Sequence, residues 1–129
     1  MTNRDVFNAA ISLCSELRST GFHEDYEERA IDLLPLVIYH FLSKDRAWRD
    51  ANKLEKQEEI PPIAISMDAQ FPLSRIFATP AAAMLASLLV IGENPEMSDR
   101  LSELSLRSAK TIVLETPMIS EKIAERYPL

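Results

Sequence analysis

The stretch Thr79-Pro80-Ala81-Ala82-Ala83-Met84-Leu85-Ala86-Ser87-Leu88-Leu89-Val90-Ile91-Gly92-Glu93-Asn94-Pro95-Glu96 decides the fold. Threonine followed by proline reads as a cap with proline at the first helical position, where the missing N–H has no partner to lose. The residues from Ala81 to Ile91 are so uniformly apolar that a helix built from them must be buried nearly all round. Gly92 stops it, and Asn94-Pro95 repeats the cap-and-proline device. In the helix that follows, Met97, Leu101, Leu104, Ala109, Ile112 and Val113 mark one face. The pair forms an antiparallel helical hairpin around Gly92, the basis of an all-α small helical bundle. Thr116-Pro117 uses the device a third time and opens a C-terminal tail over 117–129.

Upstream, Thr2 reads as an N-cap with Asp5 three residues on, and Val6, Ala10, Leu13 and Leu17 recur at helical spacing beside Phe7, Ile11 and Cys14. The spacing predicts a first helix over about 3–19, stopped by Gly21. The acidic cluster Glu24, Asp25, Glu27 and Glu28 suits the positive end of a second helix beginning near 24. Its stripe of Ile31, Leu34, Ile38 and Phe41 continues to about Trp48, and Lys44, Arg46 and Arg49 load the negative end. Pro35 predicts a kink or break, since an interior proline costs roughly 3 kcal/mol.

Residues 52–70 read as a linker and extended arm within a single domain spanning 1–129. The polar run ends in Ile60-Pro61-Pro62, which cannot continue a helix. Ile63, Ile65 and Met67 then alternate with polar or small residues as a short strand does, with no second clear strand in the chain to pair with. The expectation is an arm whose partner is another subunit. Ile60, Pro61, Pro62, Ile63, Ile65 and Met67 are therefore the candidate interface residues, and the competing reading puts the isoleucines in the chain's own core. Trp48 joins them as a candidate anchor, beside the reading that a lone tryptophan closes a small core.

Composition narrows the function. In 129 residues, 47% are hydrophobic and 26% charged, ordinary for one globular domain; two glycines against eight prolines favour helices over tightly turned sheets. A net charge of −6 opposes a tight grip on nucleic acid, which needs clustered Lys and Arg, though an acidic surface can face DNA without holding it. The longest weakly polar run, Pro80 to Ile91, is about half the roughly 20 residues a membrane span needs. One cysteine, Cys14, allows no internal disulfide, and the first residues show no export signal, so the chain reads as cytosolic.

Candidate chemistry is thin. His23 among Glu24, Asp25, Glu27 and Glu28 lacks the second histidine that a zinc-binding helix places four residues on, so it reads as a solvated helix start. His40, beside Tyr39 and Phe41, reads as a partly buried histidine rather than a base. Cys14 falls on the apolar stripe of the first helix, where it packs as a small hydrophobe. The basic group Lys44, Arg46, Arg49, Lys53 and Lys56 suits phosphate, but Asp45, Asp50 and Glu55 interleave with it and dilute the field, so it reads as a solvated helix end. No glycine-rich phosphate loop, serine elbow or paired-carboxylate signature is present, so the expectation is a protein without enzymatic activity, catalytic residues, metal or cofactor.

Phe71-Pro72-Leu73-Ser74, then Ala81 to Leu89, then Glu93-Asn94-Pro95-Glu96 form a succession that resembles head-tail connector proteins of tailed phages and prophages of Gram-positive bacteria. In that family an F-P-L or L-P lead-in precedes an Ala/Leu-rich helix, an E-N-P-E-like turn and a closing helix running on toward a tyrosine. Val6-Phe7-Asn8-Ala9-Ala10, the acidic stretch after it and the helix ending near Trp48 are similar as well, so the likeness spans most of the chain. The closing helix departs from it: Leu101-Ser102-Glu103-Leu104-Ser105-Leu106 stands where relatives carry aromatics. The resemblance implies an all-α subunit of a homo-oligomeric ring of about a dozen copies docked under the portal protein, meeting a tail or stopper protein, with DNA passing through its centre. It implies a place in the host cytoplasm during assembly and then in the virion neck. Two rivals remain: a small helical adaptor or regulator of a bacterial or prophage pathway, and a helix-turn-helix DNA binder, whose basic recognition helix is not found.

Overall fold

The computed structural model describes residues 1–14, 23–55 and 65–115. Among these, four α-helices carry the fold: α1 (Asn3–Leu13), α2 (His23–Ala51), α3 (Ala78–Val90) and α4 (Pro95–Glu115), with a 3-10 turn at Arg75–Phe77 leading into α3. The chain is an all-α bundle built on the α3–α4 hairpin. The described residues contain no strand, only one antiparallel bridge between Thr2 and Gln70.

α3 is the centre because its composition leaves it no solvent face. Ala81, Ala83, Leu85, Ala86, Leu89 and Val90 are completely buried, and only Met84 and Leu88 along its apolar run are half-buried. It packs most extensively on α4, then on α1, then on α2. Five alanines and a serine keep its surface thin, so neighbouring backbones approach closely. Ser87 Oγ donates to the Ser98 carbonyl at 2.8 Å and Ser98 Oγ to the Ser87 carbonyl at 2.9 Å. Two turns away, Ser105 Oγ donates to the Pro80 carbonyl at 2.8 Å, which fixes the two helices as antiparallel. The buried face of α4 is Ser98, Leu101, Ser105, Ala109 and Ile112, with Leu104 on its exposed flank. The expected face was shifted there because serine scores as polar, yet serine can bond a facing carbonyl and occupy little space.

The caps follow the sequence in part. Thr2 Oγ1 accepts from the Asp5 amide at 3.2 Å while Asp5 Oδ2 accepts from the Thr2 amide at 2.8 Å, a complete capping box. The backbone and side-chain bonds from Thr2 hold the Asp5 carboxyl below its ordinary range. Asn94 Oδ1 accepts from the Met97 amide at 3.1 Å with Pro95 opening α4. Thr79 does not cap α3, which already begins at Ala78 off the 3-10 turn, and Pro80 falls within its first turn, where no amide donor is needed. The α3–α4 turn does not require glycine for space, since a Cβ on Gly92 would meet nothing within 4 Å.

Two expectations are corrected, the length of α1 and a break in α2 at Pro35. α1 ends at Leu13, where the Cys14 amide turns back onto the Ala10 and Ile11 carbonyls, rather than running to 19; Leu17 and the proposed stop at Gly21 lie outside the described residues. α2 runs unbroken through Pro35 for 29 residues. The roughly 3 kcal/mol proline cost is offset by burial: Leu34, Val37, Ile38 and Phe41 are each fully buried around it, and such side chains contribute roughly 2 kcal/mol apiece.

Candidate interaction surfaces

The extended arm has a partner in its own chain. The Arg4 amide donates to the Met67 carbonyl at 2.8 Å, the Asn3 amide to Ala69 at 2.9 Å, and the Phe71 amide to Met1 at 3.0 Å. Asn3 Nδ2 adds a bond to the Ser66 carbonyl at 2.8 Å, and Arg4 reaches Asp68 at 3.4 Å and Glu27 at 2.6 Å. The pairing partner that the sequence did not reveal is thus the start of the chain, not a strand but the cap and first turn of α1, where only Met1 precedes the cap and no period of two can show. Met67 is buried in the core and Ile65 is half-buried against it, so this part of the arm is internal packing and not a free docking edge. Ile60, Pro61, Pro62 and Ile63 lie outside the described residues. Trp48 is half-buried and packs against the same core from the end of α2.

That end of α2 holds a polar clasp that sequence reasoning missed. Asp45 is completely buried. Its Oδ1 accepts from the Ser74 amide at 2.8 Å and its Oδ2 from Arg49 Nε at 3.0 Å. Arg49 also donates to Ser74 Oγ at 2.9 Å, the Pro72 carbonyl at 3.2 Å and the Glu55 carbonyl at 3.2 Å. The forked guanidinium suits this work because its donors lie in one plane and diverge. Read in sequence, Asp45 and Arg49 looked like charges on a solvated helix end; the signal available was their spacing of four on one helix face. The clasp fixes Phe71-Pro72-Leu73, whose Phe71 and Leu73 side chains close the core.

α2 then stops on a residue that tolerates the position poorly. The Leu54 amide bonds to the Arg49 carbonyl and the Lys53 amide to Asp50, the pattern of a Schellman cap, with Lys53 at φ 55°.

Cys14 and Tyr26 are placed for packing. Cys14 is buried with Sγ 3.9 Å from the Ala86 carbonyl, and burial, then Glu93, pushes its thiol up to about 11, away from nucleophilic character. The buried Tyr26 hydroxyl donates to the Glu93 carboxylate, and burial followed by that bond raises its pKa. Arg29 stacks 5.8 Å above the Tyr26 ring. His40, expected to be partly buried, is exposed instead; it meets Phe41 edge-on at 4.8 Å, and desolvation followed by Lys44 lowers its pKa. The side chains of His23 and Glu24 lie outside the described residues. Among the described residues no group of three His, Cys, Asp or Glu could hold a metal ion, and no helix is long and apolar enough to cross a membrane.

The chain matches no family model, no curated protein and no solved structure.

Exposed large apolar side chains are scattered over Met1, Leu13, Leu54 and Ile76, and the most exposed lie on the outward sides of the two long helices. Leu36 is 62% exposed on α2, with Tyr39 beside it at 41%; on α4, Leu106 is 56% and Leu114 63% exposed. Ile91 adds an exposed apolar tip at the hairpin.

Proposed function

We propose that this chain is a structural subunit that acts by binding other proteins, in the role of a head-tail connector: a ring of its own copies docked on a portal protein, joining capsid to tail, with DNA passing through. It does so first in the host cytoplasm and then in the virion neck. The observation that carries the reading is the pair of long helices around a short central one. α2 has 29 residues and α4 has 21, against 13 in α3, and each presents bare leucine on its outward side. Scattered exposed leucines are ordinary, but Leu106 and Leu114, eight residues apart on one face of α4, with Leu36 bare on α2, suit helix-on-helix docking.

The acidic net charge supports a passage role, because a wall carrying −6 per subunit repels the phosphate backbone instead of trapping it. The succession Phe71-Pro72-Leu73, Ala81 to Leu89 and Glu93-Asn94-Pro95-Glu96 gives the specific connector reading. In the structure these are consecutive parts of one unit: core plug, central helix and hairpin turn.

Negative-stain imaging of the largest species formed by the purified chain, alone and with co-expressed portal protein, tests this. Closed rings support the connector; a stable dimer, or a monomer that pairs one-to-one with some other protein, supports a helical adaptor instead.

A further inference from the structure

The outward stripe of α2 is acidic, and that of α4 carries a cation between two leucines. Along α2, Glu28 and Asp32 stand exposed one turn apart and Leu36 follows a turn later. Along α4, exposed Lys110 stands between Leu106 and Leu114, four residues from each. In a chain of net charge −6, a cation flanked by two bare leucines is a local reversal of the surface. Arg107 is paired at 3.6 Å with Glu103 of its own helix, so Lys110 carries the positive charge of the stripe. Residues four apart share a helix face, so each stripe is a ridge of the kind that packs one helix on another.

α2 and α4 both pack on α3 and make no extensive contact with each other, so the two stripes are separate surfaces of one molecule. Resting on the reading of the chain as a subunit that assembles with its own copies, we infer that the α2 stripe of one copy docks on the α4 stripe of the next, with Asp32 opposite Lys110. The spacing fits in either helix direction. With Asp32 against Lys110, Leu36 falls on Leu106 if the helices run antiparallel and on Leu114 if they run parallel. Pairing two α4 stripes about a two-fold axis fails, because matching Leu106 with Leu114 of a second copy brings Lys110 onto Lys110, and like charges at a docked surface are strongly disfavoured. The contact therefore uses a different patch on each side. Contacts of that kind propagate from copy to copy until they close as a ring or continue as a filament.

Asp32→Lys and Lys110→Asp, made singly and together in the full chain, test the pairing when the mass distribution is followed over a concentration series. Each single variant faces like charge with like and moves the assembly midpoint to about tenfold higher concentration. The double variant restores the midpoint, and so does an equal mixture of the two singles, because every contact between unlike variants in alternating order again joins Lys to Asp. Helical signal and melting stay as in the parent, since both side chains are exposed. Wild-type assembly that neither single variant weakens overturns this docking while leaving the subunit reading intact. Weakening without rescue in the mixture overturns it as well, assigning the two residues to a foreign or internal contact. A wild type that stays monomeric throughout overturns both the docking and the self-assembly on which it rests.

Discussion

Arg49 Nε lies 3.0 Å from the fully buried Oδ2 side of Asp45, one turn back on the same helix, and between them they hold the backbone at Pro72 and Ser74. A charge removed from a buried pair leaves its partner uncompensated, which costs several kcal/mol. Asp45→Ala is expected to lose about 3 kcal/mol of stability by urea melt. Arg49→Lys should recover only a minor part of an Arg49→Ala loss, since one ammonium cannot reach carboxylate, hydroxyl and carbonyl together. An Asp45→Ala protein with an unchanged urea midpoint would show that the clasp is ornamental.

Met67 and Ile65 separate two roles along the arm. Met67, 5% exposed and bonded through its carbonyl to Arg4, is core; Met67→Ser should cost roughly 3 kcal/mol. Ile65→Ser, at a half-buried position, should cost roughly 1 kcal/mol. Equal small losses in thermal melts of the two variants would return the whole segment to an external docking role.

The contrast between α3 and the arm shows what a sequence of this kind discloses. The buried helix, its hairpin and the Asn94-Pro95 start were legible because a run of eleven residues, apolar but for Ser87, and a cap admit few alternatives. The serine face of α4 was not, because Ser98 and Ser105 are recognised as interior only once the facing carbonyls are in place. Nor was the pairing of Met1–Arg4 with residues 67–71, a contact between chain segments more than sixty positions apart whose short member carries no pattern. Asp45 and Arg49 misled for a related reason: charge near a helix end usually faces water, and only the distant Ser74 amide makes this carboxylate interior. The outward leucines of α2 and α4 were visible as letters but not as surface, since exposure depends on which face the neighbours leave uncovered.

Lys53 holds a left-handed conformation at the end of α2, where glycine is the usual occupant. Lys53→Gly removes the Cβ conflict, partly offset by the freer unfolded chain, and should stabilise by about 0.5 kcal/mol. Lys53→Val should destabilise by more than that, as a β-branched side chain adds conflict. Calorimetric melts of both variants check the order; a valine variant as stable as the glycine one would contradict the cap.

Cys14 couples stability to alkaline pH. Its thiol is raised from 9.0 to about 11 in the folded chain, so above pH 9 the unfolded chain loses the proton first and is favoured. The contribution is constant below pH 9 and stability falls by roughly 2 kcal/mol on the way to pH 11. Cys14→Ala should flatten part of that alkaline limb, leaving the share due to Tyr26. The same burial predicts that a thiol-reactive dye labels the native protein far more slowly than the protein in denaturant. Equal labelling rates in the two states would contradict a buried Cys14.

The central claim, that the chain works as a subunit assembling through its outward helix faces, is tested most directly by mass-resolved size exclusion across a concentration series with the Leu106→Glu, Leu114→Glu double variant as control. The account predicts a multimer that grows with concentration in the wild type and a well-folded monomer in the variant, since both leucines lie more than half exposed and add little to the fold. A single monomer mass for the wild type at every concentration, with portal protein present as well as without it, would contradict it.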